Sequence, residues 1–228
     1  VPVNAGKLNV LSQISGSSSD ATSSISNVKL SIKNVTDTQW WNGSAWVTTS
    51  EQWLTATGTT SWIYSSPAWT NAKDYLIRSY ATDTATNSET AGIGNSFTFD
   101  TTAPSSTVVN PSNGATLTAL ATISGTSSDT FGVSSVSISI KNTTDNNWWN
   151  GSSWVTTSEQ WLAVTGTTSW TYSSPAFTNG KSYLIRSRAT DSATNIETSG
   201  PGNNWTYDTG LPTSSVTNPS NGAQLNTL

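Results

Sequence analysis

The chain of 228 residues carries 9 Lys and Arg against 13 Asp and Glu, so only 10% of its residues are charged and its net charge is -4. It contains no Cys, His or Met, which excludes disulfides, thiol nucleophiles, Ser–His–Asp triads and metal sites built on His or Cys. Because there is no basic run, nucleic acid is not an expected partner. No apolar run approaches about 18 residues, so we predict no membrane insertion.

The composition is rich in Ser, Thr, Asn and Gly, mildly acidic and free of Cys, which is typical of a protein outside a microbial cell. We therefore predict an extracellular or cell-surface location. Because the chain has no Met, we expect it to be a processed product or a piece of something longer.

In chain order, the first strand signal lies at Val28, Leu30 and Ile32, which alternate with polar residues. A period of two places alternate side chains on one face of a strand. The next element is WWNGSAWVTTSEQWL, positions 40–54, whose Asn-Gly pair predicts a β-hairpin turn. Alternation returns at positions 75–81, and no window shows a helical period.

The sequence repeats itself at an offset of 108 residues. From position 27 to 101, about 54 of 75 positions are identical to their counterparts, and the hairpin returns as WWNGSSWVTTSEQWL at 148–162. Such a repeat predicts two copies of one structural unit. In the second copy we place strands at 105–110, 118–126, 133–142, 153–156, 168–173, 181–190 and 203–208.

About seven short strands in about 100 residues, with turn signals between them, are typical of an immunoglobulin-like sandwich. We predict an all-β protein of two tandem immunoglobulin-like β-sandwiches with about seven strands each. Domain 1 is placed at residues 1–101 and lacks its first strand segment, and domain 2 is placed at 102–209. Residues 210–228 are the start of a third repeat or a donor strand.

The order SGTSSD, VSSVSISIKN, WWNGSSWV, TTSWTYSSP, YLIRSRATDSATNIET and WTYDT resembles bacterial Ig-like tandem repeat domains. The resemblance covers essentially the whole chain, twice. The segments ATDSATN (189–195) and DTTAP (100–104) carry most of its specificity. It implies a module of a secreted or cell-surface adhesin, stalk or filament, and it implies no catalysis.

Acidic residues fall on the loops that would face the linker between the two domains. Three carboxylates and an amide oxygen there could bind Ca²⁺, which takes 6–8 oxygen ligands. The candidate ligands are Asp100, Asp129, Asp191 and Asn195, with Asp20 and Asp83 as the counterparts in the first repeat. The alternative is that these Asp residues cap turns through backbone N–H groups. No other cofactor is expected.

Paired carboxylates also serve glycoside hydrolases. Here the acidic residues are repeat-related copies on loops, and two active sites in tandem would be unusual. We predict no enzymatic activity and no catalytic residues.

Tryptophans crowd both hairpins, and three interpretations stay open. They pack the edge of the sandwich, form a protein–protein contact, or present a platform for sugar rings. The residues concerned are Trp40, Trp41, Trp46, Trp148, Trp149 and Trp154. Separately, sequons mark possible N-glycan acceptors at Asn34, Asn42, Asn142, Asn150 and Asn204.

The tail carries a second copy, TGLPTSSV (209–216), of the segment TTAPSSTV (101–108) that the first repeat lacks. Either the tail begins a further covalent repeat, which we favour, or it completes domain 1 of the next unit as a donor strand. We predict a structural module of an extracellular fibre, surface filament or adhesin stalk. Its partners would be copies of itself or further repeats, head to tail. The alternative is a carbohydrate-binding module whose Trp-rich hairpins contact surface glycans.

Overall fold

The computed structural model describes residues 2–156, 158–218 and 220–224. Within these ranges the chain forms strands and no helix. The strands make four sheets that pack in pairs as two tandem β-sandwiches. The predicted fold class is therefore confirmed.

The first sandwich lies within residues 1–101. Its strands are β1 (Gly6–Leu8), β2 (Gln13–Ser17), β3 (Ile25–Asn34), β4 (Gln39–Trp41), β5 (Trp46–Val47), β6 (Leu54–Thr55), β7 (Thr57–Gly58), β8 (Ser61–Ser65), β9 (Lys73–Asp83) and β10 (Asn95–Phe99).

The second sandwich lies within residues 102–209. Its strands are β11 (Ser105–Asn110), β12 (Ala115–Leu117), β13 (Thr122–Ser128), β14 (Val133–Asn142), β15 (Asn147–Trp149), β16 (Trp154–Val155), β17 (Leu162–Ala163), β18 (Ser169–Ser173), β19 (Lys181–Asp191) and β20 (Asn203–Tyr207).

Each sandwich has a large and a small sheet. In the first, the orders are β1-β10-β9-β3-β4-β5, with β6 paired to β3, and β2-β8-β7. In the second, they are β12-β20-β19-β14-β15-β16, with β17 paired to β14, and β11-β13-β18. The first and last strands of each large sheet are neighbours. These two pairs, β1–β10 and β12–β20, are parallel.

The alternation in the sequence places one face of each long strand in the core. In β19 every second residue from Tyr183 to Asp191 is buried. Ser139 in β14 alternates with the apolar residues and is also buried. A polar hydroxyl is tolerated there because it donates to Glu159 Oε1 at 2.6 Å. The same Oε1 accepts from Arg186 Nη1 at 3.1 Å, and this pairing satisfies the polar groups on that face.

Aromatic rings fill much of both cores, in place of the disulfide of antibody domains. In the second sandwich Phe177 meets Trp205 edge to face, with ring centroids 4.6 Å apart. In the first, Trp69 takes the position of Phe177 and lies 5.2 Å from Phe97. Its Nε1 donates to the carbonyl of Leu11 at 2.8 Å, which is how a buried indole is usually satisfied.

All seven strands placed in the second repeat are present, and the hairpin turn is confirmed by the pairing of Trp149 with Trp154. The second strand, placed at 118–126, is found at Thr122–Ser128. The difference arises because the chain first pairs with β20 as β12 and then crosses to the small sheet. The short strands β12, β15 and β17 were not predicted, since two or three residues are too few to show alternation.

Candidate functional site

Three aspartates from different segments converge between the two sandwiches. Asp100 follows β10, Asp129 follows β13, and Asp191 is the last residue of β19. One carboxylate oxygen from each lies within 4.8 Å of the others. Asp100 and Asp191 are buried, with 0% and 1% of their surface exposed, and Asp129 is half-buried. The structure thus brings together the three carboxylates that the sequence placed at the linker.

Each of the three also caps a turn, as the alternative interpretation expected. Asp129 Oδ1 accepts from the N–H of Phe131 at 2.7 Å, and Asp191 Oδ1 accepts from the N–H groups of Ala193 and Asn195, both at 2.8 Å. Asp100 Oδ1 accepts from the N–H of residue 102 at 2.9 Å. Asp100 Oδ2, however, is buried without a hydrogen-bond partner, so turn capping does not account for the whole cluster.

The cluster is electrostatically unbalanced. Burial raises the pKa of Asp100, and the neighbouring carboxylates of Asp129 and Asp191 raise that pKa further. Lys7 acts in the opposite direction, but its Nζ donates to the carbonyl of Phe131. None of the four ion pairs among the described residues involves the three aspartates.

Asn195 braces the joint. Its Nδ2 donates to the carbonyl of Asp100 at 2.9 Å and to Asp191 Oδ2 at 2.7 Å, while its Oδ1 accepts from Asn9 Nδ2 at 3.1 Å. The amide nitrogen, rather than the oxygen, therefore faces the acidic cluster. Asn195 does not offer the amide-oxygen ligand that we predicted from the sequence; it ties the linker and the first sandwich to the second.

Asp20 and Asp83, the counterparts in the first sandwich, lie together, but no third acidic residue among the described residues offers an oxygen within 4.8 Å of both. The Ser23 hydroxyl bridges them, at 3.1 Å from Asp20 Oδ1 and 3.0 Å from Asp83 Oδ2. Hydrogen bonds from the N–H groups of Ser23 and Thr22 lower the pKa of Asp20 to about 2. Hydrogen bonds from Asn87 lower the pKa of Asp83. These two carboxylates are satisfied by protein donors alone.

A second feature is an open groove in the first sandwich. In the second sandwich β11 pairs with β13, whereas in the first the counterpart of β13, β2, pairs only with β8 among the described strands. The groove beside β2 has a volume of about 510 Å³ and is lined by residues 2, 4, 14–17, 62, 77–79 and 92–95. In the second sandwich a cavity at the corresponding place, lined in part by β11, has a volume of about 270 Å³.

Polar groups that hold β11 recur in the first sandwich with part of their partners missing. Glu197 accepts from the N–H and the hydroxyl of Ser106 at 2.8 and 2.6 Å. Asn203 Nδ2 donates to the carbonyls at positions 108 and 111, at 3.0 and 2.9 Å. The counterpart Glu89 is exposed, and the counterpart Asn95 keeps a bond to the carbonyl of residue 2 at 2.8 Å. The groove thus lies where β11 lies in the second sandwich, and the counterparts of two residues that hold β11 stand beside it.

The tail contains a segment of the matching sequence. Residues 213–218, TSSVTN, correspond at the 108-residue offset to SSTVVN of β11. They form no strand, and Val216 is 79% exposed, whereas Val108 packs against the second core. Pro219 and residues 225–228 of the predicted third-repeat or donor segment lie outside the described residues.

The tryptophans of the hairpins divide between two faces. Trp41, Trp46, Trp149 and Trp154 pack against the cores, and Trp149 Nε1 donates to the Tyr172 hydroxyl at 3.1 Å. Trp40 and Trp148 lie on the opposite face, each under a lysine ammonium whose distance from the ring centroid is 5.2 or 5.1 Å. Four of the six predicted platform residues are therefore committed to packing.

The sequons also divide. Asn34 and Asn142 are buried, and their Nδ2 atoms each donate to a neighbouring Asp at 2.9 Å, so the folded chain does not present them to solvent. Asn42, Asn150 and Asn204 are exposed and stay predicted acceptors.

The missing first strand segment of domain 1 indicated that a donated strand could complete it, but the sequence did not show which residues line the groove. It also did not reveal the roles of Glu197 and Asn203, because a lone Glu or Asn on a loop carries no pattern that names its partner. Among the described residues, no helix is long and apolar enough to cross a bilayer.

No protein-family model matches the sequence, and no curated protein is significantly similar to it. Among solved structures, the chain is similar to fibronectin(III)-like modules of CbhA from Clostridium thermocellum, with 14% identity, 91% of both chains covered and a TM-score of 0.44. It is also similar to domains FN1–FN3 of chicken CNTN1, with 10% identity, 86% of this chain and 64% of that chain covered and a TM-score of 0.38. A third similar structure is the chicken interferon gamma receptor alpha chain, with 11% identity, 90% of this chain and 95% of that chain covered and a TM-score of 0.35.

Proposed function

We propose that this chain is a structural module of an extracellular fibre in which β-sandwiches join head to tail. Its role is to connect neighbouring units of the fibre and to set the distance between them, with no catalysis. The observation that carries the proposal is the groove of the first sandwich, which has the position and the anchoring residues of a β11 strand but contains none in the described residues.

The occupant we propose is the tail segment 213–217 of a second copy. In register with β11, Ser214 would reach Glu89 as Ser106 reaches Glu197, and Val216 would enter the core as Val108 does. Beyond residue 217 the tail repeats positions that residues 2–11 of the acceptor already hold, so the donated strand ends there. Strand addition of this kind gains affinity from backbone hydrogen bonds and specificity from alternate side chains.

This contact joins unlike ends of two copies, so it does not close on itself and it propagates. In a longer covalent array the residues preceding the groove would fill it in the same way, and the order of units would be unchanged. An exposed strand edge is otherwise prone to uncontrolled pairing, which gives the groove a physical reason to be filled.

The test is electron microscopy and light scattering on the full chain over a range of concentrations. We expect linear polymers that Val216→Asp abolishes, because a carboxylate would enter an apolar groove. The control is Thr217→Asp, since the counterpart Val109 is 57% exposed, and it should polymerise normally. A chain that stays monomeric throughout, or a Val216→Asp variant that polymerises like the parent, would refute donation by the tail.

A further inference from the structure

The acidic cluster between the sandwiches contains a buried polar atom with no partner. Asp100 is 0% exposed, its Oδ2 makes no hydrogen bond, and the oxygens of Asp129 and Asp191 lie within 4.8 Å. Buried carboxylates are normally paired with a cation or bound to a metal, because an unpaired buried charge is strongly unfavourable. Lys7, the cation near this cluster, donates to the carbonyl of Phe131 and forms no ion pair with a carboxylate of the described residues. The three converging carboxylates are therefore placed to accept a further cation.

We propose that Asp100, Asp129 and Asp191 bind one Ca²⁺ ion in the joint between the two sandwiches. All three ligands are carboxylate oxygens, the donors that hard divalent cations prefer. Oxygens at 2.3–2.6 Å from one Ca²⁺ lie at most about 5 Å apart, and the observed separations fall within that limit. Water and nearby carbonyls complete a shell of 6–8 ligands.

The ion links the two sandwiches directly, because one ligand belongs to the linker after β10 and two belong to the second sandwich. It adds to the brace formed by Asn195 and sets the joint in one orientation. The site goes beyond the proposed fibre function and does not depend on the groove, so a failure of one proposal leaves the other standing.

The repeat supplies an internal control. Asp208 is the counterpart of Asp100, but it is exposed and has no other acidic residue grouped with it among the described residues. Asp20 and Asp83 are bridged by Ser23 instead. The described residues contain one such group of three carboxylates, so the geometry assigns one cation to each chain.

The experiment is isothermal titration calorimetry of the chelator-treated full chain with CaCl₂, and separately with MgCl₂. We expect one Ca²⁺ per chain, a weaker response to Mg²⁺, and a loss of at least about tenfold in Ca²⁺ affinity for Asp100→Asn. Asp208→Asn should bind Ca²⁺ like the parent. No heat at about 10 mM Ca²⁺, well above the millimolar affinities of extracellular modules, would overturn the proposal. So would a preference for Mg²⁺, or an equal loss in Asp208→Asn.

Thermal unfolding separates a ligand from a merely structural residue. In chelator, Asp100→Asn should melt at a higher temperature than the parent, because the amide removes an unpaired buried charge. In Ca²⁺ the order should reverse, because only the parent gains stability from the ion. If Asp100→Asn is less stable than the parent both with and without Ca²⁺, the role of Asp100 is structural and the proposal fails.

Discussion

Substituting Gly16 by Ala tests the idea that a strand belongs in the groove of the first sandwich. A Cβ at position 16 would lie 2.2 Å from Cζ2 of Trp62, closer than atoms can approach. Trp62 must therefore shift, and overpacking of this kind costs about 1–3 kcal/mol of unfolding free energy. The φ angle of Gly16 is not in the left-handed region, so the cost is steric.

The matched variant is Gly125→Ala in the second sandwich. A Cβ there would meet Cζ2 of Trp170 at 2.1 Å and also the backbone oxygen of Thr107 in β11 at 2.0 Å. Because backbone cannot rotate away, we expect Gly125→Ala to cost more than Gly16→Ala, at about 3 kcal/mol or above. In the first sandwich the place of β11 would be taken by the donated tail segment 213–217. A Cβ at position 16 would then collide with the backbone of that segment, so Gly16→Ala should also prevent polymers.

The assay is urea unfolding monitored by Trp fluorescence, followed by electron microscopy of the folded variants. Equal losses of stability in Gly16→Ala and Gly125→Ala would contradict the assigned contact with β11. Normal polymers from a folded Gly16→Ala chain would show that no strand enters the groove at this register.

Two further predictions concern the hairpin and the acid response. Trp46→Ala should cost about 3–5 kcal/mol because Trp46 packs against the core, whereas Trp40→Ala, on the opposite face, should cost under about 1 kcal/mol; urea unfolding compares them, and similar losses would contradict the assigned faces. The lowered pKa of Asp20 contributes stability that is fully present above pH 3.8 and is lost as the pH falls through about 2. Asp20→Asn should therefore flatten the acid side of the stability profile between these values, and an unchanged slope would contradict the capping role of Asp20.

Most of the fold could be predicted from the sequence because long strands with one buried face carry a clear period of two. The strands β14 and β19 are examples, with Val136, Ile138 and Ile140 buried in the first of them. Short strands and the crossing from β12 to β13 could not be predicted, since their pairing depends on tertiary contacts. The Ser139–Glu159–Arg186 contact likewise joins residues whose spacing carries no local signal.

The acidic joint could be predicted in part. Loop positions at one end of a sandwich brought Asp100, Asp129 and Asp191 together correctly, because the fold class fixes which loops meet. The direction of the Asn195 amide could not be predicted, since it depends on Asn9 from the other sandwich. Nor could the sequence show that the Ser23 hydroxyl bridges Asp20 and Asp83 in the first repeat.

The parallel pairing of β1 with β10 and of β12 with β20 has a consequence for a chain under tension. Where the first and last strands of a sandwich run parallel, as β1 and β10 do, the chain enters at one end of the pair and leaves at the other end. Pulling on the two ends of a sandwich therefore slides these strands lengthwise, and the hydrogen bonds across them share the load together. They do not open one after another, as they would in a hairpin pulled from its open end. In the first sandwich β1 and β10 are the first and last described strands, so we expect this pair to resist stretching between the two ends. In the second sandwich β11 precedes β12, so tension reaches the β11–β13 pair first.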